Sequence, residues 1–452
     1  MKQKIYYSCS ECSYRSAKWL GKCPSCDSWD TFREVIEDNV RINSQKAKLN
    51  LAATANILKI SEINTENNYR ISTNIQELDR VLGGGIVPGS LILIGGDPGI
   101  GKSTLLLQMC SKIIDQKPLY ITGEESLNQI KVRADRLGNI SPDLMLMSET
   151  NIETINAAIL NSEAKIIVLD SIQSVYTERA ESTPGSILQV RECASLMMQT
   201  AKSTGKTIFL IGHVTKDGML AGPKILEHLV DTVLQFEGDK MYSYRILRAL
   251  KNRYGSTNEI GIFDMQNSGM REVSNPSELF LAKRNSNEPG VAIATALEGS
   301  RTLLLEVQAL VTSSGYSVPQ RISNGFDQRR LQMILSVLEK RLGIPFRNND
   351  VFINIAGGLY ISDPAVDLAL AMALVSSLKD YSLDFGMVFI GEIGLTGEIR
   401  QVSAAEQRIN EAVKLGFKNI YVPHNPFIES GKYKENIKVM DRISLALTGI
   451  FV

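Results

Sequence analysis

Gly96-Asp97-Pro98-Gly99-Ile100-Gly101-Lys102-Ser103 sets glycines, a lysine and a hydroxyl at the spacing G-x-x-x-x-G-K-[ST]. That is the spacing of a loop that cradles nucleotide phosphates. The glycines allow a tight turn that aims several N–H groups at one anion. A helix starting at the loop adds the partial positive charge of its amino end. Lys102 then reaches the β- and γ-phosphates and Ser103 ligates Mg²⁺, with Thr104 completing the binding segment. Downstream, the apolar run 164–169 ends in Asp170, an acid placed to hold the Mg²⁺ shell. Between them, the run 118–122 leads to Glu124 and Glu125. One of the two can act as general base on the attacking water; both also suit the first turn of the helix that follows.

Four of the six cysteines form a second constellation, Cys9-x-x-Cys12 and Cys23-x-x-Cys26. Two such knuckles about ten residues apart are a four-thiolate zinc pattern. Each tight turn presents two thiolates, so a tetrahedron closes with little strain. So small a module has little core of its own, and Trp19, Trp29 and Tyr14 are expected to cover the site. Cys110 and Cys193 fall in apolar helical patterns and read as inert core.

The elements that must position these groups follow from the pattern of apolar runs. Strands and helices alternate over 91–95, 103–114, 119–121, 126–137, 143–147, 151–161, 165–169, 187–203 and 207–211. This alternation predicts an α/β fold with a doubly wound parallel sheet. A capped helix is expected from Ser72 to Leu82, and the core resumes near 57–63 after a polar linker. Two loops at strand ends, 177–185 and 213–224, sit where ligands bind such sheets. In the second, Lys216 and Lys224 can contact phosphates of a nucleic acid strand, and His213 can sense the γ-phosphate or bond a neighbouring loop. Residues 233–263 alternate like antiparallel strands and contain Arg248 and the run Lys251-Asn252-Arg253-Tyr254-Gly255, a cluster able to complete a nucleotide site or hold DNA.

From about residue 276 the pattern changes to paired strands at 291–299 and 302–311, an amphipathic helix at 329–341, a strand at 351–355, a helix at 365–378, a strand at 387–393 and a helix at 404–414. This is a separate α+β domain. The 452 residues carry 49 basic and 49 acidic side chains, so any polyanion site is a local patch. No apolar run reaches the roughly 18–20 residues of a membrane span, and no signal peptide is recognisable. A cytoplasmic protein with reduced thiols and no membrane partner is expected.

The cysteine finger, the segment from Gly95 to Thr104, the 251–255 pentad and the C-terminal domain, in this order, resemble the bacterial RadA (Sms) family over essentially the whole chain. The resemblance implies a RecA-like P-loop ATPase core with an N-terminal zinc finger and a C-terminal Lon-protease-like domain. The partition is then 1–35 finger, 36–56 linker, 57–275 ATPase and 276–452 Lon-like. It implies ATP, Mg²⁺ and Zn²⁺ as cofactors. It also implies a ring-forming DNA-dependent ATPase, expected as a homo-hexamer, that drives branch migration in recombination and repair. Single-stranded and branched DNA are the implied partners, with a recombinase or helicase possible through the finger. Carried over, Lys102 and Ser103 are nucleotide-binding, Asp170 is the magnesium acid, and Glu124 is the water-activating carboxylate. Lys251 and Arg253 support motor function, one route being to a neighbouring subunit's nucleotide.

The Lon-like segment departs from a peptidase. Ala365 stands where a nucleophilic serine follows proline, and Glu406 falls near the place of the lysine base. Alanine has no nucleophile and a carboxylate cannot replace an amine. Peptidase activity is therefore not expected, and the domain reads as an assembly or DNA-binding scaffold with Arg329, Arg330, Lys340, Arg341 and Arg347 as its basic face. The alternatives to a motor are an ATP-switched signalling or assembly ATPase without DNA translocation and, disfavoured by the missing Ser–Lys pair, an ATP-dependent protease.

Overall fold

The computed structural model describes residues 4–9, 14–37, 70–138, 140–213, 223–238, 243–281, 288–315, 318–424 and 435–451. Cys12, the linker, the expected core segment at 57–63 and residues 214–222 with Lys216 lie outside them. The chain forms two compact units. One comprises 1–237, 245–257 and 263–272, the other 238–244, 258–262 and 273–452.

The N-terminal ribbon is a three-stranded antiparallel sheet of β1 (Lys4–Cys9), β2 (Arg15–Ser16) and β3 (Phe32–Glu37), in the order β2-β1-β3. Among the described residues its small core is Cys9, Cys23 and Phe32, with Tyr7, Leu20 and Cys26 packed against them. This corrects one expectation. Trp19, Trp29 and Tyr14 do not cover the cysteines but stand exposed. The sheet brings Phe32 opposite Cys9 instead, Tyr7 packs beside it, and the Tyr14 ring meets the Phe32 ring edge-on at 6.5 Å between centroids.

The α/β part of the first unit begins with α1 (Gln76–Leu82). Its start lies later than expected because Ser72 does not cap it. The Ser72 hydroxyl and the Thr73 N–H instead bond the carboxylate of Asp79. Then come β4 (Leu91–Gly95), α2 (Lys102–Lys112), β5 (Leu119–Thr122), α3 (Leu127–Leu137), β6 (Met145–Ser148), α4 (Ile152–Asn161), β7 (Ile166–Asp170), α5 (Ile187–Thr204), β8 (Thr207–Ile211) and α6 (Pro223–Leu229). The chain continues through β9 (Thr232–Glu237), β10 (Tyr244–Asn252), β11 (Ile260–Gln266) and β12 (Gly269–Glu272). Strands β4, β5, β7 and β8 are buried throughout, as expected of parallel strands covered on both faces. One core cluster includes Ile92, Ile94, Leu105, Tyr120 and Phe209, and the other Leu91, Leu93, Ile121, Met197 and Leu210. All nine strands make one sheet, in the order β12-β11-β10-β9-β4-β8-β7-β5-β6. The antiparallel segment is thus not a separate layer: β9 pairs parallel with β4, and β10 turns the sheet antiparallel from there.

In the second unit, α7 (Ser277–Phe280) precedes the long hairpin β13 (Val291–Glu298) and β14 (Arg301–Ser313). There follow β15 (Arg321–Asn324), α8 (Gln328–Leu342), β16 (Asn349–Ile355), α9 (Asp367–Lys379), β17 (Met387–Phe389), β18 (Glu392–Ile393), β19 (Ile399–Arg400), α10 (Ala405–Lys414), β20 (Asn419–Val422), β21 (Ile437–Val439) and α11 (Ile443–Ile450). Seven strands form one sheet, β15-β16-β14-β13-β17-β20-β21. The strand expected at 387–393 is split, its second piece pairing with β19 instead. Helix α9 is buried from Asp367 to Ser376, which its run of small and apolar residues allows. Arg330 leaves the expected basic face: its guanidinium grips the buried Asp367 carboxylate (Nε–Oδ1 2.7 Å) and also faces Glu392.

Candidate nucleotide site and metal centre

Strands β4, β8, β7 and β5 are parallel neighbours, so their carboxyl ends open on one side. Each end delivers a candidate group: the phosphate loop after β4, His213 after β8, Asp170 at the end of β7 and Glu124 after β5. This is where α/β sheets bind ligands.

The loop needs its glycines. Gly96 has φ +149°, and a Cβ there would lie 2.9 Å from Phe236 Cβ. Gly101, at φ +113°, caps α2; a Cβ there would lie 2.0 Å from the terminal methyl of Met270. Helix α2 starts at Lys102 and aims its free N–H groups into the loop. Lys102 is only 4% exposed. Its ammonium donates to the carbonyls of Gly96 (2.7 Å) and Asp97 (3.0 Å) and lies 3.4 Å from His213 Nδ1. Burial pushes its pKa down to about 8, against the pull of Asp170, Asp97 and Glu124.

Asp170 is buried, and the Tyr120 hydroxyl donates to its Oδ2 at 2.5 Å. The pairing with the carboxylate and burial hold the Tyr120 phenol well above its usual range, burial contributing most. Glu124 accepts a hydrogen bond from the Ser171 hydroxyl and lies 3.4 Å from His213 Nε2. The His213 contact is the chief reason its pKa falls to about 2; burial opposes this, while Ser171 and Lys102 add to it. Glu125 turns the other way, into an ion pair with Arg133 of α3. Thr122 holds that turn by accepting from the Glu125 N–H at 2.9 Å. So Lys102, Glu124, Asp170 and His213 converge, and Glu125 does not join them. Ser103 and Asp170 offer hard oxygen donors of the kind Mg²⁺ takes. Tyr120 and Ser171 were not singled out in the sequence. Ser171 directly follows the strand-end acid and was the readable one of the two.

The pentad lies at the other end of the sheet. Lys251 donates to the carbonyls of Glu227 and Val230 (2.9 Å to the latter) at the end of α6. Burial lowers its pKa, with Arg253 adding to the effect. Arg253 Nη1 is 3.4 Å from Asp231 Oδ1. Asp231 is buried, and its other oxygen accepts from the Leu91 N–H (3.0 Å) and from Lys202 (2.6 Å). Leu91 begins β4 and the phosphate loop follows its end. Within one chain, Lys251 and Arg253 are therefore roughly a strand length, about 16 Å, from the nucleotide loop.

In the ribbon, the sulfurs of Cys9, Cys23 and Cys26 lie within 4.8 Å of one another, with Cys9 and Cys26 3.7 Å apart. A zinc–thiolate tetrahedron has edges of about 3.8 Å, so these three residues fit a zinc ion. Cys110 and Cys193 are buried in α2 and α5; burial pushes the Cys193 thiol up to about 12 and the Cys110 thiol higher still.

In the second unit, Ala365 is fully buried in a short turn before α9, while Glu406 is exposed on α10. The group that fills this place is Arg408, which sequence reading missed. It is completely buried. Its guanidinium donates to the carbonyls of Ser403 (2.8 Å) and Thr295 (3.0 Å) and pairs with Asp363 at 2.7 Å. Asp363 in turn accepts from the N–H groups of Ala365 (3.0 Å) and Leu297 (2.6 Å). Its signal was a cation in phase with the apolar stripe Ile409 and Ala412.

Three family descriptions match the chain: "Rubredoxin metal binding domain" over residues 7–34, "AAA domain" over 59–219 and "Subunit ChlI of Mg-chelatase" over 326–426. Among curated proteins, the chain is 49% identical over 427 residues to "DNA repair protein RadA" of Halalkalibacterium halodurans, covering 93% of each. It is 47% identical to proteins of that name from Bacillus subtilis, covering 93% of each, and Listeria monocytogenes, covering 94% of this chain and 93% of the relative.

Proposed function

The chain belongs to the RadA family of DNA repair proteins, and from that premise we propose that it is a DNA-dependent ATPase that drives branch migration as a homo-hexameric ring. Its work is in recombination and repair, with a zinc ribbon, a P-loop ATPase domain and a non-proteolytic Lon-like domain. We assign these to 1–35, 57–275 and 276–452, joined by a linker at 36–56. The observation that carries the ATPase reading is the convergence of Lys102, Glu124, Asp170 and His213 at four neighbouring strand ends.

The α2 amino end and loop N–H groups hold the phosphates of ATP. Lys102 exchanges the carbonyls of Gly96 and Asp97 for β- and γ-phosphate oxygens and neutralises charge that builds during transfer. Ser103 and Asp170 hold Mg²⁺, which when bound draws charge from the phosphate oxygens. Tyr120 fixes the orientation of Asp170. Glu124 orients the attacking water. Lys251 and Arg253 serve the nucleotide of a neighbouring subunit, a reading supported by their distance from the loop of their own chain.

ATP turnover with and without single-stranded DNA, on wild type and Lys251→Ala, tests this. DNA-stimulated turnover that is lost in the variant is expected. Turnover indifferent to DNA in both proteins would replace the motor with a signalling or assembly ATPase.

A further inference from the structure

The chain has two tryptophans, and both are on the ribbon. Trp19 is 51% exposed and Trp29 73%. The ribbon core of Cys9, Cys23 and Phe32 uses neither. Large aromatic side chains left in water on so small a module are candidates for contact with a partner. The two indoles flank one short paired segment. Trp29 is bridged to Lys22, the Asp30 N–H donates to the Gly21 carbonyl at 2.8 Å, and the Trp19 ring lies 3.8 Å from the Cβ position of Gly21.

The charges beside them are ordered. Residues 14–26 contain Arg15, Lys18 and Lys22 and no acid, interleaved with Tyr14 and Trp19. The acids Asp27, Asp30, Glu34 and Glu37 are gathered in the remaining stretch, the first two on either side of Trp29, whose cation is its bridge partner Lys22. Lys18 is exposed, and Lys22 is tethered to Asp27 at 2.6 Å while staying half exposed. Flat rings alternating with cations suit a strand that offers bases to the rings and phosphates to the cations. A protein partner would be met better by a continuous apolar patch, and a duplex hides its base faces.

We propose that the ribbon is a single-strand DNA platform, with bases stacking on Trp19 and Trp29 and with Lys18 and Lys22 at the phosphates. This rests on the reading that DNA is the partner and assigns a site for it outside the ATPase core. The zinc site holds together the turns that carry both indoles, so removing the metal removes the platform.

Because no other tryptophan exists, the emission of the unmodified full-length protein reports on the ribbon alone. A single-stranded oligo-thymidine carrying a red dye is titrated while tryptophan emission and dye anisotropy are both recorded. The expected result is saturable quenching that follows the rise in anisotropy. A Trp19→Ala/Trp29→Ala variant that keeps its zinc and its basal ATP turnover should bind the strand about 10-fold more weakly or worse. Rising anisotropy with unchanged emission would overturn the platform, leave the DNA-dependent motor standing, and assign the indoles to a protein partner. No rise in anisotropy would overturn the DNA reading and the platform with it.

Discussion

Glu124 and Glu125 are consecutive, yet they meet different chemistry. Glu124 faces His213, Ser171 and the Lys102 ammonium, whereas Glu125 is spent on Arg133. Glu124→Gln should lower kcat by about 10²- to 10⁴-fold with little change in ATP binding. Glu125→Gln should stay within a few-fold of wild type. Equal losses in steady-state turnover would remove the distinction. The His213 contact lowers its pKa to about 2, so Glu124 is held as the carboxylate that can accept a hydrogen bond from the attacking water. Lys102 gives the pH dependence. Burial lowers its pKa to about 8, so the charged form is lost as pH rises through that value. Phosphate binds the ammonium, so above pH 8 ATP binding must take up a proton. The apparent KM for ATP should be flat from pH 6.5 to 7.5, then climb by up to about tenfold per pH unit. A flat profile to pH 9.5 at constant ionic strength would rule this out.

At the scale of elements, α10 makes the strongest demand, because it carries Arg408 into the core beside Asp363. Breaking a buried pair strands a charge, so Arg408→Ala should destabilise the second unit by about 3–5 kcal/mol. Chemical denaturation followed by far-UV circular dichroism measures it; a loss below about 1 kcal/mol would show the pair relaxes to water. For the same reason a serine at position 365 would be sealed beneath the turn rather than presented to a peptide. The parallel strands were legible because burial on both faces makes each a continuous apolar run ending at its functional residue. Arg408 was not, because Asp363 reaches it only through a topology that sets α10 beside the turn before α9. The start of α1 misled for a local reason: Asp79 captures the serine that would otherwise cap. The tryptophans misled because a metal lets the ribbon dispense with their burial. The joining of β9 to β4 was hidden as well, since alternation marks a strand but does not name its neighbour.

For the whole molecule, the decisive fact is that the two halves of the proposed motor stand at opposite ends of one sheet. The nucleotide loop follows the carboxyl end of β4, and Arg253 reaches the Asp231 carboxylate that binds the N–H at its amino end. A rigid nine-stranded sheet cannot fold back to join them. If Lys251 and Arg253 act on nucleotide at all, the geometry requires a second copy to supply them, as in a head-to-tail ring. That yields a test no single variant provides. Lys102→Ala destroys a nucleotide site but keeps a pentad; Lys251→Ala keeps a site but weakens the pentad it lends. Each protein alone should have little DNA-stimulated turnover. Mixed in equal amounts and allowed to exchange subunits, they should regenerate wild-type pairings at about a quarter of interfaces, by random association. DNA-stimulated ATP turnover should therefore rise above the sum of the separate proteins. No rise, with subunit exchange verified by energy transfer between labelled copies, would mean the pentad acts only within its own chain. Its bonds to the end of α6 and to Asp231 would then be structural.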